Sequence, residues 1–316
     1  MKRQTKIKNF IYPLLLLAPA LIILLVFKVL PIILAFRFSF FNWGIAGSKG
    51  FVGLRNYKIM FQDPLFWRSL LNTFYYAIVT VPLSMIFSMI IAALLNRGIK
   101  ALGVFRTIYY LPVVTSLVAV SVVWKWLYDP TRGLFNQILQ FLGLSPLQWL
   151  QEYRGIFELI LGKELPLLLK GPSLALFSLS ILGVWRSLGY NVVIFLAGLK
   201  NIPKVYYDAA KVDGANTFQT FWHVTVPLLS PTTFYVAIMT TITSFQMFAP
   251  VWTMTGPPPG GPLHSTLVII YYLFRRGFEE YLIGYGSAIA FVFFLIILAI
   301  TILQRKYLEK RVYYEV

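Results

Sequence analysis

Cysteine is absent from the 316-residue sequence, and charged residues are scarce. Without cysteine, disulfide bonds, cysteine-based zinc sites and thiol catalysis are excluded. Charged residues make up 12% of the chain, about half the usual share of a soluble domain, whereas hydrophobic residues make up 58%. This composition excludes a disordered or fibrous protein and argues against a soluble enzyme.

Acidic residues and histidine are also missing from every long apolar segment. A bilayer-spanning helix needs about 20 mostly apolar residues, and six segments reach this length with few charges. The six predicted spans are Phe10–Phe41, Ser69–Leu95, Leu102–Tyr128, Ser173–Leu199, Val226–Trp252 and Gly284–Leu303. We therefore predict an all-α, multi-pass membrane protein with six transmembrane helices.

These absences restrict the function, because several chemistries depend on the missing groups. Proton-coupled carriers usually need an intramembrane carboxylate or histidine, and many secondary carriers contain an internal repeat. The sequence shows neither feature, and it contains no G-x-x-x-x-G-K-[ST] phosphate loop and no G-x-S-x-G motif. We predict a subunit with no catalytic residues, no metal site and no cofactor of its own. A secondary, ion-coupled solute carrier is the main alternative, and a membrane enzyme is a weaker one.

The N-terminus resembles a cleaved signal peptide in its basic start and its Ala18-Pro19-Ala20 sequence. The apolar run continues well past Ala20, so cleavage there would fall inside the hydrophobic segment. We predict that the first helix is retained.

The basic residues indicate how the chain is oriented. The 28 Lys and Arg against 11 Asp and Glu give a net charge of +17. Basic residues are densest in the short segments on the N-terminal side of the membrane, which favours cytoplasmic termini and gives no reason to predict nucleic-acid binding. The predicted organisation is an N-terminal region with the first span and first outer loop (1–68), a core (69–304) that contains an outer loop (129–172) and an inner loop (201–227), and a cytoplasmic tail (305–316).

The inner loop has the pattern of two short amphipathic helices joined by a turn. Val205, Ala209 and Val212 recur at helical spacing and form an apolar stripe. Gly214 is suited to end or bend the first helix by adopting a positive φ. The segment is either a connector that rests on the lipid surface or a docking site for another protein. A second short apolar face begins at Phe218, Phe221 and Trp222.

The spacing within this loop resembles a known motif. Asp208-Ala209-Ala210, three residues, Gly214, nine residues, Val224, Thr225 and Val226-Pro227 follow one another without a gap. This resembles the EAA loop of binding-protein-dependent ABC importer permeases, which runs Glu-Ala-Ala, three residues, Gly, nine residues, Ile, one residue, Leu-Pro. Asp replaces Glu, and Val replaces both Ile and Leu. The resemblance implies an ATPase-coupling loop formed by Asp208, Ala209, Ala210, Asp213, Gly214, Ala215 and Pro227.

Further motifs extend the resemblance to the carbohydrate-uptake branch of these permeases, the MalF- or UgpA-like subunits. Examples are Phe51-Val-Gly-Leu-Arg-Asn-Tyr57, Trp126-Leu-Tyr-Asp-Pro130, Gly189-Tyr190-Asn191 and Gly284-Tyr-Gly-Ser-Ala288. Gln151–Lys170 departs from the pattern as a partly apolar insertion, either an interfacial helix or a surface for the binding protein.

The resemblance implies the type I ABC importer permease fold in a bacterial or archaeal inner membrane. It also implies that the chain forms half of a pathway for a sugar, an oligosaccharide or a glycerol-phosphate-like solute. The implied partners are membrane lipid, a second homologous permease, two cytoplasmic ATPase subunits and an extracytoplasmic solute-binding protein. ATP and Mg²⁺ would be bound by the ATPase subunits.

Polar residues within the predicted spans are candidates for the solute pathway, because they are costly in lipid and usually face a cavity or another helix. Nearby aromatic rings are suited to stack on the apolar C–H faces of a sugar. The alternative is that the polar groups bond between helices and that the aromatic residues form an interfacial belt. The polar residues are Asn72, Thr73, Arg186, Asn191, Thr240, Thr243, Ser244 and Gln246, and the pathway candidates are Asn191, Gln246, Arg186, Tyr190, Ser244 and Trp252.

Overall fold

The computed structural model describes residues 15–96, 102–166 and 169–313. Within these ranges the chain is mainly helical. The helices are α1 (Leu15–Phe38), α2 (Arg55–Gln62), α3 (Pro64–Leu95), α4 (Leu102–Val114), α5 (Leu117–Leu127), α6 (Leu134–Phe141), α7 (Ile156–Leu161), α8 (Leu174–Asn201), α9 (Lys204–Val212), α10 (Thr217–Leu228), α11 (Ser230–Phe245), α12 (Ala249–Met254), α13 (Ile269–Phe274) and α14 (Ile283–Leu308). Short turns of other helix types occur at Pro262–His264, Arg275–Glu279 and Glu309–Arg311, and inside α1 and α10.

Four of the described helices are long and apolar enough to cross a membrane: α1, α3, α8 and α14. The number rises to six if each of two bent helix pairs counts as one span. Residues 10–14 of the predicted first span lie outside the described residues, so only the part from Leu15 onward is compared.

The predicted third span, Leu102–Tyr128, is not one straight helix, because it is divided between α4 and α5. The chain bends by 110° between the two helices. Pro112 lies inside α4, where a proline removes a helical hydrogen bond and crowds the preceding turn. The helix ends two residues later, and Ser116 adopts an extended ψ of 127° before α5 begins.

The predicted fifth span, Val226–Trp252, is also not one helix. It begins in α10, bends by 67° into α11 and ends with the separate helix α12. Prolines occupy the first turns of both α11 and α12, where a missing N–H is tolerated. Proline therefore starts a new helix at each of these breaks.

The described chain also contains a short β-hairpin after α1, which the prediction of an all-α fold did not include. Strand β1 (Phe41–Gly44) pairs antiparallel with β2 (Gly47–Phe51), and Phe41 lies opposite Phe51. Their rings meet edge to face with centroids 5.4 Å apart. Gly47 has a φ of +94°, which glycine adopts readily and other residues do not.

The chain divides into two compact units. The first contains the described part of residues 1–63 together with Leu273–Leu295. Inside it, the Asp63 carboxylate accepts hydrogen bonds from Tyr285 at 2.9 Å and from Arg276 at 3.3 Å. These contacts hold the start of α14 against the segment that follows α2.

The second unit contains Pro64–Tyr272 and the described residues from Ile296 onward. Helix α8 lies at its centre and approaches three neighbours through glycines. A Cβ at Gly183 would collide with the Tyr76 hydroxyl of α3, and one at Gly198 would collide with Thr232 of α11. Gly189 makes the same close approach to the backbone of α4. Small residues of this kind allow membrane helices to pack closely.

Candidate functional site

The turn between α9 and α10 is closed by backbone hydrogen bonds. The Gly214 N–H donates to the Lys211 carbonyl at 3.1 Å, and the Ala215 N–H donates to the Ala210 carbonyl at 2.9 Å. This pair of bonds is the Schellman motif, which requires a left-handed residue directly after the helix cap. Gly214 has a φ of +75°, so the positive φ expected from the sequence is confirmed.

The second helix of this loop begins with a capping box. The Asn216 side chain accepts a hydrogen bond from the Gln219 N–H at 2.9 Å, and the Gln219 side chain accepts one from the Asn216 N–H at 2.8 Å. Sequence reasoning missed this feature, although Asn-x-x-Gln before an apolar run is a known signature. The helix end and the helix start together fix the conformation of the four residues between α9 and α10.

The apolar stripe of this loop faces away from the rest of the chain. The exposed fraction is 65% for Val205 and 87% for Val212, and Ala209 is exposed as well. The buried residue of α9 is Ala210. Phe218 and Trp222 continue the exposed apolar surface onto α10.

Asp208 lies on the same exposed surface. Its carboxylate is 3.3 Å from the Lys211 ammonium, and both side chains are mostly exposed. Beside it, Asp213, Gly214 and Ala215 line a shallow cavity of about 330 Å³. Pro227 lies at the far end of α10 and is not among the residues that line this cavity.

A larger cavity of about 530 Å³ lies among α3, α4, α8 and the segment around the end of α11. Five of the six pathway candidates line it, and these are Arg186, Tyr190, Asn191, Ser244 and Gln246. The sixth, Trp252, is not among its lining residues. Trp252 instead stacks on Phe248, with ring centroids 5.8 Å apart, and Phe248 lines the cavity. We call this space the central cavity.

The polar groups of the central cavity differ in how they are bonded. Asn191 donates to the Thr240 hydroxyl at 3.2 Å, and both residues are buried. The Tyr190 and Tyr235 hydroxyls are 3.2 Å apart. Nη1 of Arg186 is buried without a hydrogen-bond partner among the described residues. Gln246 caps the end of α11 with its side chain exposed.

Asn72 and Thr73 have a different role from the other polar residues. The Asn72 amide donates to the carbonyls of Leu267 at 2.9 Å and His264 at 3.1 Å. The Thr73 hydroxyl accepts from the Ile269 N–H at 3.0 Å. These two side chains therefore hold an irregular segment of backbone against α3, as the alternative of structural hydrogen bonding predicts.

Two cavity-lining polar residues were missed by sequence reasoning, Tyr76 and Ser187. Ser187 precedes Asn191 by four residues, and this spacing places both on one face of α8. The helical period of the polar residues therefore contained the signal for Ser187. For Tyr76, no comparable pattern in the sequence distinguishes it from the neighbouring Tyr75.

The chain belongs to a known family. Residues 62–313 match the model of the binding-protein-dependent transport system inner membrane component. This is a family of multi-pass membrane proteins, and the assignment confirms the resemblance inferred from the inner-loop motif. The chain is accordingly the permease subunit of an ABC importer.

Two relatives resemble the chain over nearly all of its length. The probable ABC transporter permease protein YesP of Bacillus subtilis is 36% identical over 95% of this chain and 91% of its own length. The trehalose/maltose transport system permease protein MalF of Thermococcus litoralis is 33% identical over 92% of this chain and 92% of its own.

A solved structure has the same fold. It is a chain of a bacterial alginate ABC transporter, solved in complex with an alginate pentasaccharide-bound periplasmic protein. The TM-score is 0.74 at 22% sequence identity, and the match covers 100% of this chain and 99% of that chain.

Proposed function

We propose that this chain forms half of the translocation pathway for a sugar or oligosaccharide. A second, homologous permease forms the other half, and two ATPase subunits dock on the cytoplasmic side. An extracytoplasmic binding protein delivers the solute. The chain crosses a bacterial or archaeal cell membrane six times, with the α4–α5 and α10–α11 pairs each counted as one crossing, and both termini are cytoplasmic.

The observation that carries the proposal is the exposed surface of α9 and α10. Val205, Ala209 and Val212 are exposed in the described part of the chain, although they lie on a helix whose end is fixed by the Schellman turn. Exposed contiguous apolar surface of this kind usually marks an interface. The neighbouring Asp208 offers a negative charge to a basic partner. The surface is therefore better suited to contact an ATPase subunit than to face solvent.

The coupling follows from this placement. ATP and Mg²⁺ are bound by the ATPase subunits, and their dimer closes when ATP binds. Because α9 and α10 are fixed to each other through the Schellman turn and the capping box, they move as one body with the docked ATPase. The motion reaches α8 and α11, which flank the loop in sequence and line the central cavity. Linkage is reciprocal, so solute delivery must also favour ATPase closure.

The central cavity has the chemistry of a sugar pathway. Gln246, Ser244 and Ser187 offer hydrogen-bond donors and acceptors, while Tyr190 and Phe248 offer aromatic faces. Its volume falls within the range of about 300–1,000 Å³ that is typical of small-molecule sites. The sugar-transport names of relatives such as MalF support the same class of solute.

Reconstitution tests this proposal against an ion-coupled carrier. The tagged chain should co-purify with a second permease and an ATPase, and liposomes containing this complex should import labelled oligosaccharide when ATP and the binding protein are supplied. A complex with a hydrolysis-deficient ATPase is the control and should import none. Uptake by the purified chain alone, driven by an ion gradient without ATP, would overturn the proposal. Reporter fusions near Lys211 and Gly155 should respectively give cytoplasmic and external signals.

A further inference from the structure

A second cavity, of about 500 Å³, lies where the start of α3 meets the 151–173 loop segment. We call it the outer cavity, since the proposed topology places the loop segment outside the membrane and the start of α3 at its outer face. Its size also falls within the range of about 300–1,000 Å³ for small-molecule sites. The lining residues that carry chemistry are Trp67, Arg68, Tyr75, Tyr153, Lys170 and Ser265.

The charged side chains that line the outer cavity are both cations. Arg68 and Lys170 are both half-buried, and neither forms an ion pair with a described residue. No Asp or Glu is among the described residues that line the cavity. Two cations confined in one cavity without an acid make the site favourable for an anion, because partly buried charges are less screened than exposed ones.

One carboxylate outside the cavity lining, that of Glu158, interacts electrostatically with Lys170. Glu158 accepts hydrogen bonds from the N–H groups of Gly155 at 2.8 Å and Leu165 at 3.3 Å. The Gly155 bond is the main reason that the pKa of Glu158 lies below its usual range, and the Lys170 charge contributes less. Glu158 therefore stabilises the loop and carries a negative charge that acts on Lys170 from outside the cavity lining, where the charged side chains are both cations.

A buried hydroxyl in the same cavity lacks a partner. Ser265 is 1% exposed, and its Oγ forms no hydrogen bond with any described residue. Its backbone is fixed, because the Ser265 carbonyl accepts a hydrogen bond from the Ser173 hydroxyl at 3.0 Å. Buried polar groups are nearly always bonded, so an orphan hydroxyl beside two cations indicates a ligand with oxygen atoms.

Aromatic rings complete the site. Trp67 is 51% exposed and Tyr153 is 47% exposed, and Tyr75 lines the same cavity. Such rings stack on the apolar C–H face of a sugar, whereas a simple inorganic anion gains nothing from them. On α3, the outer cavity is lined by Tyr75 and the central cavity by Tyr76. Adjacent residues of one helix thus line the two cavities.

We infer that the outer cavity binds an anionic saccharide, with its carboxylate at Arg68 and Lys170, a hydroxyl at Ser265 and its ring against Trp67 or Tyr153. The inference deepens the proposed function, on which it rests, by naming an acidic sugar as the solute class. The central cavity has a matching feature, since Nη1 of Arg186 is buried without a described partner. A solute with a carboxylate would meet a cation in each cavity.

The test is direct binding by the complete importer, purified in nanodiscs without its binding protein. The probes are the disaccharide uronates digalacturonate and cellobiouronate, with cellobiose as the neutral counterpart of the latter. The variants are Arg68→Gln, Lys170→Gln and Ser265→Ala. Lys163→Gln is the matched control, because Lys163 is an exposed cation of the same loop that does not line the cavity.

At least one uronate should bind more tightly than cellobiose, and Arg68→Gln should weaken that binding by about tenfold or more, as expected for a hydrogen bond to a charged group. Ser265→Ala should weaken it less, and Lys163→Gln should leave it unchanged. Binding of neither uronate above cellobiose, or equal losses in Lys163→Gln and Lys170→Gln, would overturn the inference. A third result would also overturn it: the importer binds no uronate, yet Arg68→Gln loses ATP hydrolysis stimulated by the binding protein. An acidic side chain of the binding protein would then be the occupant of the outer cavity. ATP-driven import of neutral sugars by the unsubstituted importer would still support the proposed function while this inference fails.

Discussion

Replacing Gly214 by Val should uncouple ATP hydrolysis from transport while leaving the protein inserted in the membrane. Gly214 has a φ of +75° and closes the Schellman turn through its N–H. Residues with a Cβ pay about 1–2 kcal/mol for the left-handed conformation, and a β-branched residue is the least tolerant of it. The predicted effect thus originates in one dihedral angle.

The structure separates this backbone cost from a steric one. A Cβ placed on Gly214 would find no atom within 4 Å apart from its chain neighbours, so no clash arises inside the chain. A cost of about 1–2 kcal/mol corresponds to a factor of roughly 5–30 in the population of the native turn. We expect solute-stimulated ATP hydrolysis to fall by a similar factor, and the amount of membrane-inserted protein to stay at the wild-type level.

Two further substitutions at the same position distinguish the conformation of the turn from the space beside it. Asn tolerates a positive φ better than Ala does, but its side chain is larger. If the turn conformation alone matters, Gly214→Asn should retain more activity than Gly214→Ala. If an ATPase backbone approaches the open side of Gly214, the order should reverse. The assays are co-purification of the ATPase and ATP hydrolysis stimulated by the solute-loaded binding protein.

Wild-type assembly and stimulation in Gly214→Val would refute this reasoning. The α9–α10 loop would then be a connector resting on the lipid surface, which is the alternative that the sequence leaves open. Loss of the inserted protein itself would also contradict it, because the structure gives the substitution no clash that could prevent folding.

Three further predictions concern other parts of the chain. Asp208→Lys should reduce ATPase co-purification. Lys211→Gln breaks the same exposed ion pair and should not reduce it. Equal effects of the two substitutions would show that only this ion pair matters. Gln246→Leu should lower uptake roughly five- to a hundredfold at an unchanged melting temperature. Asn191→Leu should lower both uptake and the melting temperature, because it leaves the buried Thr240 hydroxyl without its 3.2 Å partner. Parallel losses of uptake and melting temperature in the two variants would assign Gln246 a structural role. The pKa of Glu158 is lowered in the folded protein, mainly by the Gly155 N–H, so its stabilisation is complete above the unfolded value of about 4.3 and is lost as the pH falls through the folded value. The protection of amides in the 151–173 segment, measured by hydrogen exchange relative to the intrinsic rate at each pH, should therefore fall on acidification from about pH 5 to 3. Glu158→Gln should weaken this dependence, and Glu152, whose pKa is also lowered, should account for the remainder.

Hydropathy predicted where the long helices lie, but it did not predict their breaks. Span boundaries at Leu95 and near Asn201 follow directly from apolar length, because a helix in lipid must satisfy its own backbone. The break between α4 and α5 depends on Pro112, and many membrane helices tolerate a proline with only a kink. Whether a proline kinks or ends a helix depends on what packs around it, and the sequence does not contain that information in a local form.

The inner loop was predicted more fully than any other segment, because its determinants are local. The stripe of Val205, Ala209 and Val212 and the turn at Gly214 arise from interactions within a few residues. The same is true of the Asn216–Gln219 capping box, which was missed although its signal was present. The exposure of the stripe was not predictable, since it depends on how the rest of the chain packs around this loop.

The cavities show why polar residues in spans cannot be sorted by type alone. Asn72 and Asn191 are the same residue type in apolar helices, yet Asn72 holds the backbone at Leu267 and Asn191 bonds across to Thr240 at the central cavity. Both are satisfied by this chain, so each can be explained without a solute. Arg186 and Ser265 are different, because each has a buried polar atom that no described residue satisfies. Since an unpaired buried polar group costs about 1–3 kcal/mol, these two residues, rather than the amides, give the stronger physical reason to expect a ligand, and both lie in cavities whose charge favours an anion.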